Sequence, residues 1–102
     1  MIVEYLRYAL PAGTGAQFEL DYAQAAAQLD ASPHCLGYEL ARCVEQPDRY
    51  LLRIEWDSAE GHLQGFRGSP GFRDFLAPIR RYIEAIEEMR HYERTGVRSA
   101  RD

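Results

Sequence analysis

Residues 84–93 read Glu-Ala-Ile-Glu-Glu-Met-Arg-His-Tyr-Glu, and the fold turns on whether they are helix or strand. Intrinsic propensity favours helix, because Glu, Ala, Met and Arg lose little freedom there. The segments upstream argue for strand. Residues 2–9 are rich in β-formers and stop at Pro11-Ala12-Gly13. Residues 14–30 repeat Phe18, Tyr22, Ala25, Ala26 and Leu29 at helical spacing, begin with a Thr14/Gln17 pair in the form of a capping box, and end at Asp30-Ala31-Ser32-Pro33. Residues 35–45 and 49–57 are β-rich runs joined by Gln46-Pro47-Asp48, which reads as an antiparallel hairpin, with Gly37 marking a bulge. Ser58 is placed to cap a helix over 59–67, which Gly68 closes. Ser69-Pro70 starts a second piece with Phe72, Phe75, Leu76 and Ile79 on one face, and Pro78 divides it. A strand at 84–93 then completes the order strand, helix, strand, strand, helix, strand of a split βαβ sheet. Residues 94–102 have no periodic apolar set, so the domain is expected to span 1–93 with a mobile tail behind it.

The chain has 102 residues, 46% of them hydrophobic, with 12 Lys+Arg against 16 Asp+Glu. That suits one small domain with one core and leaves no room for a deep private active site, so a cavity is expected to need a second subunit. A net charge of −4 without a Lys/Arg stripe lacks the footprint of a nucleic-acid binder, and no apolar run or basic amphipathic helix points to a membrane. No signal-peptide pattern opens the chain, which makes the cytoplasm the expected location. Cys35 and Cys43 would lie about 26 Å apart along one strand, too far for a disulfide or a shared metal. The three histidines fall on three different elements, so spacing offers no metal site, and neither a nucleotide-binding glycine loop nor a nucleophile-elbow serine occurs.

Alternation along 49–57 puts Tyr50, Leu52, Ile54 and Trp56 under the helices and Leu51, Arg53, Glu55 and Asp57 on the other face. On the first strand Val3 and Tyr5 are expected under the helices, leaving Ile2, Glu4, Leu6 and Tyr8 outside. On the last, Met89 and His91 go under and Ile86, Glu88, Arg90 and Tyr92 go out. An outer face of aliphatics, tyrosines and charges suits a homodimer whose sheets face one another around a partly polar cavity.

The segment EWDSAEGHLQGFRGSPGF (residues 55–72) resembles the signature of the antibiotic biosynthesis monooxygenase domain family: a strand-end Trp, an acidic-Ser helix start, His-Leu, and Ser-Pro-x-Phe. CLGYEL (35–40) is similar to that family's second-strand entry and IEEMRHYE (86–93) to the last strand of one branch. The likeness runs over roughly residues 2–93. It implies an α+β fold, a ferredoxin-like βαββαβ subunit with an antiparallel sheet, pairing as a dimeric α+β barrel. The family's activities include cofactor-free oxygenation of phenols, quinols and anthrones, haem degradation, and isomerisation of signal molecules. In the haem-degrading branch an Asn, a Trp and an iron-ligating His stand where this chain has Leu6, Gly65 and Leu76, which disfavours that activity.

Cofactor-free oxygenation needs a base, donors for an oxyanion, and a dry aromatic pocket. The resemblance and the chemistry together nominate His62 as base and Arg53 as oxyanion partner, with Trp56, Glu4, Leu6 and Glu55 contacting a small aromatic or hydrophobic molecule, and no cofactor or metal. Arg53 has the competing reading of a strand charge paired with Glu4 or Glu55. The alternative function is a dimer that binds a small molecule without reaction. In that case Glu4, Arg53, Glu55, Glu88 and Arg90 would be fully paired, whereas a catalytic pocket would leave a His or carboxylate short of partners.

Overall fold

The computed structural model describes residues 1–99 and divides the ambiguous segment at Ala85. A 3₁₀ turn occupies Arg80–Ala85, and a strand, β4, runs Ile86–Glu93. Tertiary pairing outweighs propensity here. β4 lies antiparallel to β1 (Ile2–Ala9), whose other edge pairs with β3 (Arg49–Trp56), and β3 pairs with β2 (Cys35–Arg42). The sheet order is β2-β3-β1-β4, with every neighbour antiparallel. One face is covered by α1 (Gly15–Ala31), a π-helical segment Gly61–Phe66, and α2 (Gly71–Leu76), giving the ferredoxin-like α+β fold.

Local expectations meet mixed outcomes. The bulge anticipated at Gly37 is present as a register shift between Cys35 and Gly37. The capping box does not form, because the Thr14 hydroxyl donates to the Pro11 carbonyl and the Gln17 amide to Asp21. β2 stops at Arg42 rather than 45, and the turn is closed by the Arg49 N–H donating to the Gln46 carbonyl at 2.9 Å. Pro78 follows the last turn of α2, which ends at Leu76. Of the expected tail, Arg94 donates its N–H to the Met1 carbonyl and its guanidinium to Glu55. Beyond it the Val97 N–H donates to the Thr95 hydroxyl and the Arg98 N–H to the Gly96 carbonyl, and the part of that expectation at residues 100–102 lies outside the described residues.

The register overturns the reading of β1. Ile2, Glu4, Leu6 and Tyr8 stand opposite Trp56, Ile54, Leu52 and Tyr50, so they share the helix-covered face, and Val3, Tyr5 and Arg7 face away. Glu4, expected on the outer face, is instead buried on the covered one, only 3% exposed. Ile86 is also under the helices, because a bulge pairs it with Tyr8 while Glu88 pairs with Arg7, so alternation slips by one between them. Met89 and His91, opposite Leu6 and Glu4, are where alternation put them.

The core centres on Phe18, whose ring meets Tyr8, Tyr22, Tyr50 and Tyr82 at centroid distances of 4.8–5.9 Å. Burying such a ring contributes about 1.5–3 kcal/mol, and the neighbouring edge contacts add to it. Asp21 ties α1 to the 3₁₀ turn by accepting from the Tyr82 hydroxyl, the Arg81 guanidinium and the Gln17 amide. Those hydrogen bonds, Tyr82's first, hold its carboxyl down at about 2 from an ordinary 3.8. A depressed carboxylate contributes stability that is complete above its unfolded pKa and is lost as pH falls through the folded one. Asp21→Asn is therefore expected to lower the melting temperature at pH 7 and to flatten the loss of stability between about pH 4 and 2, as followed by circular dichroism.

Candidate functional site

Between the sheet and its helices lies a cavity of about 250 Å³. Its floor is Leu6 and Ile54, its roof Phe66, Phe75 and Ile79, and its polar end Glu4 and His62. The local sequence explains how His62 reaches this end. The Ser58 hydroxyl accepts the Gly61 N–H at 2.8 Å and starts the helix, which then widens so that the Arg67 N–H bonds to the His62 carbonyl five residues back. Gly65 lets this widened segment press on the loop before β2, since a Cβ there would come within 2.3 Å of the His34 ring. His34 is held in turn by Asp57 at 3.0 Å.

His62 stacks on Trp56, with centroids 4.4 Å apart and planes 13° from parallel. Its Nδ1 is 2.7 Å from Nε2 of His91, and its Nε2 is 3.5 Å from Oε1 of Glu4. Trp56 donates its indole N–H to the same Glu4 oxygen at 3.1 Å, and Nε2 of His91 approaches the other oxygen at 4.0 Å. Burial pushes the Glu4 carboxyl up, against the pull of Trp56 and of nearby His91 and Arg67. Burial, reinforced by Arg67 and His91, brings the His62 imidazole down to about 4, so at neutral pH it is uncharged and can accept a proton.

Four of the six site candidates read from the sequence, Glu4, Leu6, Trp56 and His62, line this cavity. Arg53 and Glu55 are not brought to them. They lie on the opposite face of the sheet, where Arg53 bonds Glu55 at 2.6 Å and Glu55 also accepts from Arg94 at 2.7 Å. The competing reading of Arg53 as a paired strand charge holds with Glu55 and fails with Glu4, which is on the other side. Glu88 and Arg90 are likewise paired on the outer face, at 3.2 Å. This cavity lies within one subunit, beneath its own helices. His91 and Arg67 went unrecognised. His91 could have been found from its helix-side alternation on β4, opposite Glu4, whereas nothing in the spacing marks Arg67 as a cavity-lining residue.

Three comparisons bear on this geometry. The family model for antibiotic biosynthesis monooxygenases matches residues 1–78. The uncharacterised protein YczJ of Bacillus subtilis is 28% identical over 93 residues, 91% of this chain and 98% of that protein. A mycobilin-producing heme oxygenase of Mycobacterium tuberculosis is 37% identical over 51 residues, 50% of this chain and 49% of that protein. Among solved structures, a Bordetella bronchiseptica protein carrying the same family name superposes with a TM-score of 0.74 at 28% identity, covering 92% of this chain and 96% of its own. SnoaB, a cofactor-independent oxygenase from Streptomyces nogalater, superposes with a TM-score of 0.72 at 20% identity, covering 99% and 97%, and bears on the fold alone.

The Trp56–Glu4 bond is the element most exposed to test, since it is buried at both ends. Trp56→Phe retains an aromatic ring to stack on His62 but removes the donor from a carboxylate 3% exposed. It is expected to cost about 1–3 kcal/mol in urea unfolding.

Proposed function

The chain belongs to the antibiotic biosynthesis monooxygenase family, and from that premise we propose that it is a monooxygenase that oxidises a small aromatic phenol, quinol or anthrone in the helix-side cavity without a bound cofactor. The observation that carries this is the cavity itself: apolar on nearly every side, with one neutral imidazole and one carboxylate at a single end. Nε2 of His62 accepts the proton of the activated C–H or O–H. Arg67, on the same cavity wall, steadies the resulting oxyanion, the role the sequence had suggested for Arg53. The carbanion then reduces dioxygen in one-electron steps and recombines with it as a peroxide. Loss of water leaves a carbonyl carrying one oxygen atom, so the second oxygen departs in that water. The aromatic walls keep bulk water from the carbanion.

Two other readings are weaker. A binding module without chemistry would have its polar groups fully paired, and that description suits Arg53, Glu55, Glu88 and Arg90, paired at 2.6–3.2 Å, better than the cavity end, where Nε2 of His62 stands 3.5 Å from Glu4. The likeness to a heme oxygenase raises haem degradation. Against it, Leu6 and Leu76 give the cavity hydrocarbon, Gly65 packs on His34, and a porphyrin exceeds about 250 Å³. As part of the same proposal the working unit is a homodimer of the 1–93 domain in the cytoplasm, joined through the outer sheet face where Leu51, Tyr92 and the paired charges lie. No helix among the described residues is long and apolar enough to cross a membrane.

Oxygen uptake by metal-free protein with dithranol and a panel of quinols tests the activity. Uptake that depends on added flavin or iron would overturn the mechanism. His62→Ala is expected to lower turnover by about 10²- to 10⁴-fold with the fold retained, and Ile79→Trp, which fills the cavity, to abolish it. Sedimentation of a folded monomer at micromolar concentration would remove the dimer.

A further inference from the structure

We propose that Glu4, His62 and His91 form a binding site for a divalent first-row transition-metal ion, zinc or a zinc-like ion. The three come from β1, the π-helical segment and β4, and one ligand atom from each lies within 4.8 Å of the other two. Nitrogen and oxygen ligands sit about 2.0–2.2 Å from such an ion, so any two of them are at most roughly 4.2 Å apart. The 3.5 Å separation of Nε2 of His62 from Oε1 of Glu4, and the 4.0 Å separation of Nε2 of His91 from Oε2, fall within that limit, while the set as a whole, within 4.8 Å, has to contract by a few tenths of an ångström, which the exposed His91 ring can supply. Two imidazoles and one carboxylate are borderline ligands that suit zinc, cobalt, nickel or iron and not calcium or magnesium.

The surroundings fit the same ligand. Glu4 and His62 are each 3% exposed, a costly placement for two ionisable groups that a shared cation offsets. Glu4 and His91 are cross-strand partners, so two ligands are set by sheet register. The Trp56 N–H fixes the carboxylate from behind, the kind of support that holds a ligand in place. The carboxylate's second oxygen has only the 4.0 Å approach of His91 among the described residues, and the site opens on the cavity, which leaves room for an exchangeable ligand. Arg67 is the charge that opposes a cation here; it is exposed and can turn outward. On binding, the ion takes the Nε2 lone pairs of both imidazoles and replaces the 2.7 Å N–H···N hydrogen bond between the rings. It therefore competes with the proton-accepting role of His62.

The experiment titrates chelator-stripped protein with Co²⁺ and Zn²⁺ and needs no substrate. One equivalent is expected to bind with micromolar or tighter affinity, to give the visible absorption of nitrogen- and oxygen-ligated cobalt, and to quench Trp56, the sole tryptophan. Glu4→Gln and His91→Ala should each weaken binding by at least about tenfold, and His34→Ala, which alters the remaining histidine, should leave it unchanged. His91 is the most exposed of the three, so its variant carries the test if a core variant fails to fold. Absence of saturable binding, equal binding by His91→Ala, or a sulfur-to-cobalt band placing the ion on Cys35 or Cys43 would overturn the site. Dithranol oxidation by the loaded protein separates this from the functional proposal. Inhibition by the bound ion supports both, while activity only with the ion retains the site and overturns cofactor-free oxidation.

Discussion

A carboxylate that is 3% exposed beneath a sheet's covering helices costs several kilocalories per mole unless its oxygens are met by donors. In this protein the Trp56 indole N–H meets Glu4, and much else follows from that bond. It requires β1 and β3 to pair in the register that puts Ile2, Glu4, Leu6 and Tyr8 on one face with Trp56. It requires Trp56 to lie flat at the end of β3, where its ring becomes the surface on which His62 stacks. The widened helical segment after β3 delivers His62 to that surface, and His91 closes the cluster from β4.

The sheet consequently has two faces with different physics. The helix-covered face is hydrocarbon and aromatic, with its polar groups gathered at one end, so electrostatic interactions there are screened weakly and burial raises the Glu4 pKa and lowers that of His62. The outer face carries ion pairs, the half-buried Arg53–Glu55–Arg94 and the more exposed Arg7–Glu88–Arg90, the exposed ones worth little to stability individually. The cavity with its ionisable end lies on the first face, and the ion-pair network on the second. On the covered side Leu6 and Leu76 contribute hydrocarbon to the cavity, while Gly65 serves helix-to-loop packing against His34.

The order of elements was legible because each has a local cause: β-branched and aromatic runs, the helical repeat from Phe18 to Leu29, the Ser58 cap, and the stop at Pro78. Residues 84–93 were legible only by completing the topology, since their composition argues for helix. The alternation on β3 held, and with it the placement of Trp56. On β1 alternation held but its phase was off by one residue, because the covered face takes Glu4 through the buried indole N–H of Trp56, a cross-sheet contact that alternation does not report. On β4 it failed at Ile86, because a bulge shifts the count by one.

The candidate site divides along the same line. His62 and Trp56 could be named from the chain alone, since they sit six residues apart in one contiguous signature whose strand-to-helix turn is locally encoded. Alternation along β3 already turned Arg53 and Glu55 away, but that Glu4 and His91 join Trp56 and His62 depends on contacts between residues separated by 29 to 58 positions. No local periodicity reports such contacts. They are settled when strand register, one β-bulge and a widened helical turn are satisfied together around a buried carboxylate, a cooperative condition that exists only in the assembled fold.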